Sequence, residues 1–249
     1  MAGAARSGKL IWQLGRVVAV THETPRATSI VLDLPDWPGH RAGQHVDIRR
    51  TPYGGPRAQR SYFIASAPED DVVMLTVVRL EDGELSPYLT GVVELGDEVE
   101  LRGPLGDRFV WDASLPGPLL LISAGAGIVP LRAMLRHWAA ARPPVEVRVL
   151  HSARSLSDVI YLDELIRLAA FEEVDVHITL TRTWPDGWRG HRGRVDRNLL
   201  KDTAWPLQDR PRIYVCGPAA FVDATVAALI ENGHQASGIR TERFGPTAG

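Results

Sequence analysis

The chain has two rhythms of apolar and polar positions. From Trp12 to about Trp111, short β-rich runs at residues 15–20, 29–34, 45–48, 72–79 and 98–101 are cut by turn-forming clusters such as Pro35-Asp36-Trp37-Pro38-Gly39, Tyr53-Gly54-Gly55-Pro56 and Glu81-Asp82-Gly83. Closely spaced strands with little helix between them predict an antiparallel barrel or sandwich. Residues 112–118 form a joint rich in proline and glycine. Beyond it, apolar strands at 119–122, 145–151, 174–180 and 212–215 alternate with helical stretches at 129–141, 159–170 and 219–232. That alternation predicts a parallel sheet wrapped by helices. The expected fold class is therefore β followed by α/β. Residues 11–113 form the first domain and 114–249 the second, after a disordered start at 1–10.

Composition narrows the chemistry. The 249 residues are 45% hydrophobic and 23% charged, with a net charge of −2, which suits a globular protein with no general attraction for nucleic acid or membrane. Residues 1–9 lack the apolar core of a signal peptide, and no run reaches transmembrane length, so a cytoplasmic location is expected. Cys216 is the one cysteine. A cysteine-ligated iron–sulfur cluster or zinc site needs several thiolates, and this chain cannot supply them. The eight histidines are scattered, and none pairs at metal-ligand spacing with carboxylate support.

Two segments carry phosphate-binding chemistry. Ser123-Ala124-Gly125-Ala126-Gly127-Ile128-Val129-Pro130 follows the apolar run 118–122 and opens a helix. A buried strand, a tight glycine turn and a helix start present free N–H groups to a pyrophosphate, with Gly125, Gly127 and Pro130 shaping the turn. The second segment is 81–89, in which Ser86 reads as an N-cap, Pro87 as the first helical residue, and Gly83 as the point of close approach. Between the domains' extremes lies Arg60-Ser61-Tyr62-Phe63. A guanidinium at Arg60 can grip a diphosphate bidentately, and Tyr62 shares its strand face. Arg154, after Ser152, and Arg182, after Thr181, end successive apolar strands, where arginine and hydroxyl donors suit a ribose 2′-phosphate. NADPH is thus expected over NADH.

Arg60-Ser61-Tyr62-Phe63, the 123–130 turn, Tyr214-Val215-Cys216-Gly217-Pro218 and Thr241-Glu242-Arg243-Phe244-Gly245, in this order and separation, resemble the ferredoxin–NADP reductase superfamily. The likeness covers about residues 12–246 and is strongest to stand-alone bacterial members and the reductase half of flavohaemoglobins. It implies a Greek-key β-barrel that binds flavin, followed by a nucleotide-binding α/β domain; with two separate places for a diphosphate in the first half, FAD is expected over FMN. It also implies flavin contacts from Arg60, Ser61, Tyr62 and Phe63, from the strand carrying Val77 and Val78, from Gly83, Glu84, Leu85 and Ser86, and from Phe244 over the ring. Cys216, with Gly217 and Pro218, would sit by the nicotinamide, and Glu242 would polarise the reaction centre. The family's fourth signature position is Ser or Thr, whose hydroxyl approaches flavin N5; here it is Phe63, so that bond must come from a backbone N–H, from Ser66 or from water. The implied activity is an NAD(P)H-dependent flavin reductase passing electrons to a ferredoxin, a flavodoxin, an oxygenase component or a molybdoenzyme. The alternatives are a free flavin or ferric reductase, or a non-catalytic electron-relay or redox-sensing subunit.

Overall fold

A computed structural model of the chain describes residues 11–50 and 58–245; the expected disorder of 1–10 lies outside them. The chain divides into two compact units, one running through Ala113 and taking in Arg132–Arg142, the other comprising Ser114–Leu131 and Pro143 onward. The sequence boundary at 113/114 keeps 132–142 with the second domain, whereas the fold groups it with the first.

The first unit is built on β1 (Gln13–Thr24), β2 (Ala27–Asp33), β3 (His45–Arg50), β4 (Ala58–Phe63), β5 (Val73–Val78), the short helix α1 (Ser86–Gly91) and β6 (Glu98–Leu105). The order β4-β3-β6-β1-β2-β5 is antiparallel throughout, and β6 inserted between β3 and β1 gives the Greek key. The two edge strands meet: Ile64 bridges Leu75, and the Ala65 N–H donates to the Met74 carbonyl at 2.7 Å, so the sheet closes on itself. Strand alternation sends Val17, Ile30, Leu32, Val46, Ile48, Leu75, Val77, Val99 and Leu101 inward, each at most 3% exposed. Closure removes the sheet edge and fills the interior with these side chains.

The second unit contains β7 (Leu119–Ala124), the start of α2 (Ile128–Ala141, which from Arg132 on is grouped with the first unit), β8 (Val147–Ala153), α3 (Leu162–Leu168), β9 (Val174–Leu180), β10 (His191–Arg192), α4 (Arg197–Thr203), β11 (Arg212–Pro218), α5 (Ala219–Glu231) and β12 (Ile239–Phe244). Its sheet is parallel, in the order β10-β9-β8-β7-β11-β12. The central strand β7 is buried along Leu119–Ile122 at 0% exposure, as a strand covered on both faces requires. Two helices depart from the sequence pattern. The helix expected over 159–170 shortens to α3 because Tyr161 adopts a left-handed conformation, φ 63°, which cannot continue into a helix from Val159. Helix α4 had no counterpart in the reading; its cue is Asp196, whose side chain accepts from the Leu199 N–H at 2.8 Å. No helix among the described residues is long and apolar enough to cross a membrane.

Candidate functional site

In the parallel sheet the strand order reverses between β7 and β11, and ligands of open α/β sheets lodge beyond the carboxyl ends of strands at such a switch. The glycine turn leaves β7 there, and Cys216-Gly217-Pro218 ends β11 beside it. The two turn glycines have different tasks. Gly125 sits at φ +53° with nothing within 4 Å of where a Cβ would be, so it supplies a left-handed bend facing open space. Gly127 packs against β11: a Cβ would stand 2.0 Å from the Cys216 carbonyl oxygen. The helical character begins at Gly125, earlier than the expected start, and Pro130 is buried in the first turn of α2. Gly217 is likewise a packing glycine, with the Phe221 ring 2.6 Å from its would-be Cβ.

One transverse row crosses this sheet. Register pairs His151 on β8 with Ser123 on β7, Ser123 with Cys216 on β11, and Cys216 with Glu242 on β12, so the four side chains share a face. Ser123 Oγ lies 2.9 Å from His151 Nδ1, both residues at 0% exposure, while His151 Nε2 has no hydrogen-bond partner among the described residues. Burial pushes the His151 imidazole down to about 4 and keeps it neutral. The Cys216 thiol is pushed up, first by burial and then by the Glu242 charge, so it is a thiol at neutral pH. Burial also raises Glu242, against the pull of Arg243. Phe244 lies two residues beyond Glu242, opposite Pro218 and half-buried.

The arginine-bearing ends of β8 and β9 are adjacent. The Arg182 N–H donates to the Arg154 carbonyl at 2.9 Å, and Thr181 Oγ1 donates to the Ala153 carbonyl at 3.2 Å. Ser152 is buried in the ladder between Ala124 and Thr179. Both arginine side chains are exposed. Sequence reading passed over β10, which adds Arg192 opposite Leu180 with Arg194 two residues on; its only cue was the exposed, arginine-rich stretch after Arg182.

In the barrel the structure joins two of the predicted elements: Arg60 Nη2 stands 3.7 Å from Glu84 Oε2, linking β4 to the 81–86 turn. Tyr62 pairs with Val46 and packs on the barrel core; burial raises its phenol to about 12, opposed by Arg60. The other residues of the two elements are placed as follows. Ser61 turns to the opposite face and donates to Asp47 at 2.7 Å, in a cluster that also takes Arg102 and Gln59. Ser86 is not the N-cap. Leu85 holds that position, buried at 1% in the barrel core, while Ser86 Oγ accepts from the Leu80 N–H at 3.1 Å. Gly83 accommodates that hydroxyl, since a Cβ would lie 2.7 Å from Ser86 Oγ. Val77 is core, and Val78 half-buried on the same strand. Phe63 shares the Ser61 face, edge-on to His45 at 6.1 Å and tilted against Phe109 at 6.4 Å. Ser66 is occupied in closing the barrel, accepting from the Met74 N–H at 3.0 Å.

These features fit the groups that the sequence suggests. An exposed guanidinium beside a turn suits a flavin diphosphate, and an open left-handed glycine at a switch point suits a dinucleotide.

The oxidoreductase FAD-binding domain family matches residues 15–110, and the oxidoreductase NAD-binding domain family matches 121–227. The chain is 35% identical to ferredoxin–NADP reductase B of Sorangium cellulosum over 81% of this chain and 84% of that one. It is 31% identical to the glycine betaine monooxygenase reductase subunit of Chromohalobacter salexigens over 93% of this chain, and spans 64% of that relative's length. Among solved structures, the flavohaem-like FAD/NAD-binding domain of nitric oxide dioxygenase from Vibrio cholerae is 28% identical with a TM-score of 0.84, covering 94% of this chain and 98% of that one. Such pairs of domains are those of NAD(P)H-dependent flavin oxidoreductases. With a flavin-domain barrel preceding a switch-point α/β unit, this chain belongs to the ferredoxin–NADP reductase superfamily.

Proposed function

We propose that the protein is an NADPH-dependent FAD reductase that delivers electrons to a separate redox protein, a ferredoxin or an oxygenase component. The observation that carries the nucleotide preference is the adjacency of Arg154 and Arg182 at two strand ends, both exposed and neither ion-paired among the described residues. Cations without a carboxylate partner suit a dianionic 2′-phosphate, and a ribose-specific NADH site would more often offer a carboxylate. When bound, the flavin supplies hydride acceptance and single- or two-electron release. The protein's part is to hold, orient and shield. Arg60 and the 81–86 turn hold the diphosphate end of the flavin. Gly125 lets the nucleotide pyrophosphate approach the start of α2. Cys216, kept as a neutral thiol by burial, offers a small uncharged surface for positioning the nicotinamide. Glu242, its acidity weakened by burial, stands next to it as the polar group.

The relatives support the acceptor class: one is a ferredoxin–NADP reductase and another the reductase subunit of a monooxygenase. A second reading, a non-catalytic relay subunit, is favoured by Phe63, which stands at the signature position where the family has Ser or Thr and brings no hydroxyl there. Anaerobic titration decides between them. Bleaching of the flavin band by NADPH faster than by NADH is expected, and Arg154→Ala/Arg182→Ala should raise KM for NADPH with little effect on NADH, the mark of lost binding rather than lost chemistry. A flavin band unmoved by either nucleotide overturns the reductase reading. Equal or better use of NADH overturns the 2′-phosphate bracket.

A further inference from the structure

The flavin signature of this chain lacks one hydrogen-bonding group. Phe63 stands where the family has the Ser or Thr that approaches flavin N5, and a phenyl ring brings neither a hydroxyl donor nor an oxygen acceptor. The polar groups that follow it in sequence are engaged in closing the barrel. The Ile64 N–H donates to the Gln44 carbonyl at 3.0 Å, the Ala65 N–H to the Met74 carbonyl at 2.7 Å, and Ser66 Oγ accepts from the Met74 N–H at 3.0 Å.

The ladder brings a different polar side chain to Phe63. Strand β3 begins at His45 and β4 ends at Phe63, and the two residues are register partners, so their side chains share one face at the rim of the barrel. Their rings meet edge to face with centroids 6.1 Å apart. On its other side His45 pairs with Leu105, the last residue of β6, so three strand ends converge here. Gly106 follows at φ +86°, and a Cβ there would stand 3.1 Å from the His45 ring; the turn is shaped to leave room for the imidazole. His45 is half-buried, and its ring nitrogens have no hydrogen-bond partner among the described residues. Burial lowers its pKa below the ordinary histidine value, against the pull of Asp47, so the ring is neutral at pH 7.

The chemistry of N5 selects such a group. Oxidised, this atom offers a lone pair and asks for a donor; reduced, it carries a hydrogen and asks for an acceptor. A hydroxyl answers both by rotating, whereas a backbone N–H answers only the first. A neutral imidazole answers both, with one N–H and one bare nitrogen on the same ring. We infer that His45 is the hydrogen-bond partner of flavin N5 in this chain, taking over across the β3–β4 ladder the task that Ser or Thr performs at the position of Phe63. This inference rests on the flavin reading above and adds a residue to that site.

The test uses the full chain, labelled with nitrogen-15 at histidine and loaded either with FAD or with 5-deaza-FAD, in which a C–H replaces N5. One imidazole should shift its ring-nitrogen resonances between the two forms, and it should be the one missing from His45→Gln. In stopped-flow reduction of the FAD form by saturating NADPH, His45→Phe should be slower by about tenfold with unchanged nucleotide affinity, the pattern of a bond lost at the reacting atom. His45→Gln, whose amide both donates and accepts, should recover most of that loss. Phe63→Ser should speed reduction by a larger factor in His45→Phe than in the wild type. Imidazole resonances identical in the two flavin forms, or a shift belonging to another histidine, overturn the assignment of His45 and leave the reductase reading standing. A wild-type chain that retains neither flavin overturns the flavin reading, and the role of His45 with it.

Discussion

The buried His151–Ser123 pair makes the nucleotide-binding unit acid-labile in a way that one substitution should remove. His151 is neutral because burial holds its acidity at about 4, against about 6.5 for an exposed imidazole. A histidine whose pKa is lowered by folding contributes its full stabilisation above 6.5. That contribution is lost as pH falls toward 4, because the unfolded chain takes up a proton that the folded chain refuses. Between pH 7 and pH 5 the loss from this one group is about 2 kcal/mol. His151→Phe keeps a flat ring in the cavity, removes the titration, and leaves the Ser123 hydroxyl unpartnered at a pH-independent cost of about 1–3 kcal/mol. Urea unfolding of both proteins at pH 7, 6 and 5 measures the difference directly. His40, His45 and His234 are also lowered by burial, but they titrate in both proteins and cancel. The gap between wild type and His151→Phe should therefore shrink by about 2 kcal/mol from pH 7 to pH 5. A gap that stays constant over that range refutes the assignment of acid sensitivity to His151.

On the proposal that Arg60 grips the flavin diphosphate, Arg60→Ala removes a charge-assisted partner worth about 1.5–3 kcal/mol, so flavin affinity should fall about 10- to 100-fold, read by flavin retention on dilution; unchanged retention would separate Arg60 from the flavin. Gly127→Ala drives a methyl into the Cys216 carbonyl and should prevent stable folding, whereas Gly125→Ala meets open space and should cost only about 1–2 kcal/mol of backbone strain, both read by thermal unfolding. Phe63→Ser gives up the ring's contacts with His45 and Phe109 and should lower Tm, at about 0.5–1.5 kcal/mol per aromatic pair. If the new hydroxyl meets the flavin as the family pattern implies, anaerobic reduction by NADPH speeds up in the same variant; an unchanged rate assigns Phe63 to packing.

Both layers of the fold were legible because burial is periodic in sequence. Strands such as β5 and β6 alternate inward and outward residues, and β7 is an unbroken apolar run, as a strand covered on both faces must be. The switch-point turn was legible from its glycines. What escaped was set by partners distant in sequence or by single dihedral angles. The direction of the Ser61 hydroxyl was not legible, because its acceptor is Asp47, fourteen residues upstream. Ser86 has the sequence of an N-cap, yet its hydroxyl serves the Leu80 turn and leaves Leu85 at the cap position. The late start of the expected 159–170 helix depends on the left-handed Tyr161, and no apolar periodicity encodes that. Arg192 gained meaning only when β10 proved to lie beside β9.

The unequal duties of Gly125 and Gly127 bear on how this turn would decay under drift. Gly127 answers to the Cys216 carbonyl, a demand that persists whether or not any nucleotide is ever bound. Gly125 answers to its bend and to the open space in front of it. A descendant released from nucleotide binding could tolerate alanine or asparagine at 125 at modest cost, yet would still need glycine at 127 to fold. In this lineage the second glycine is a fossil-proof mark of the architecture, and the first is the one whose loss would record the end of the chemistry.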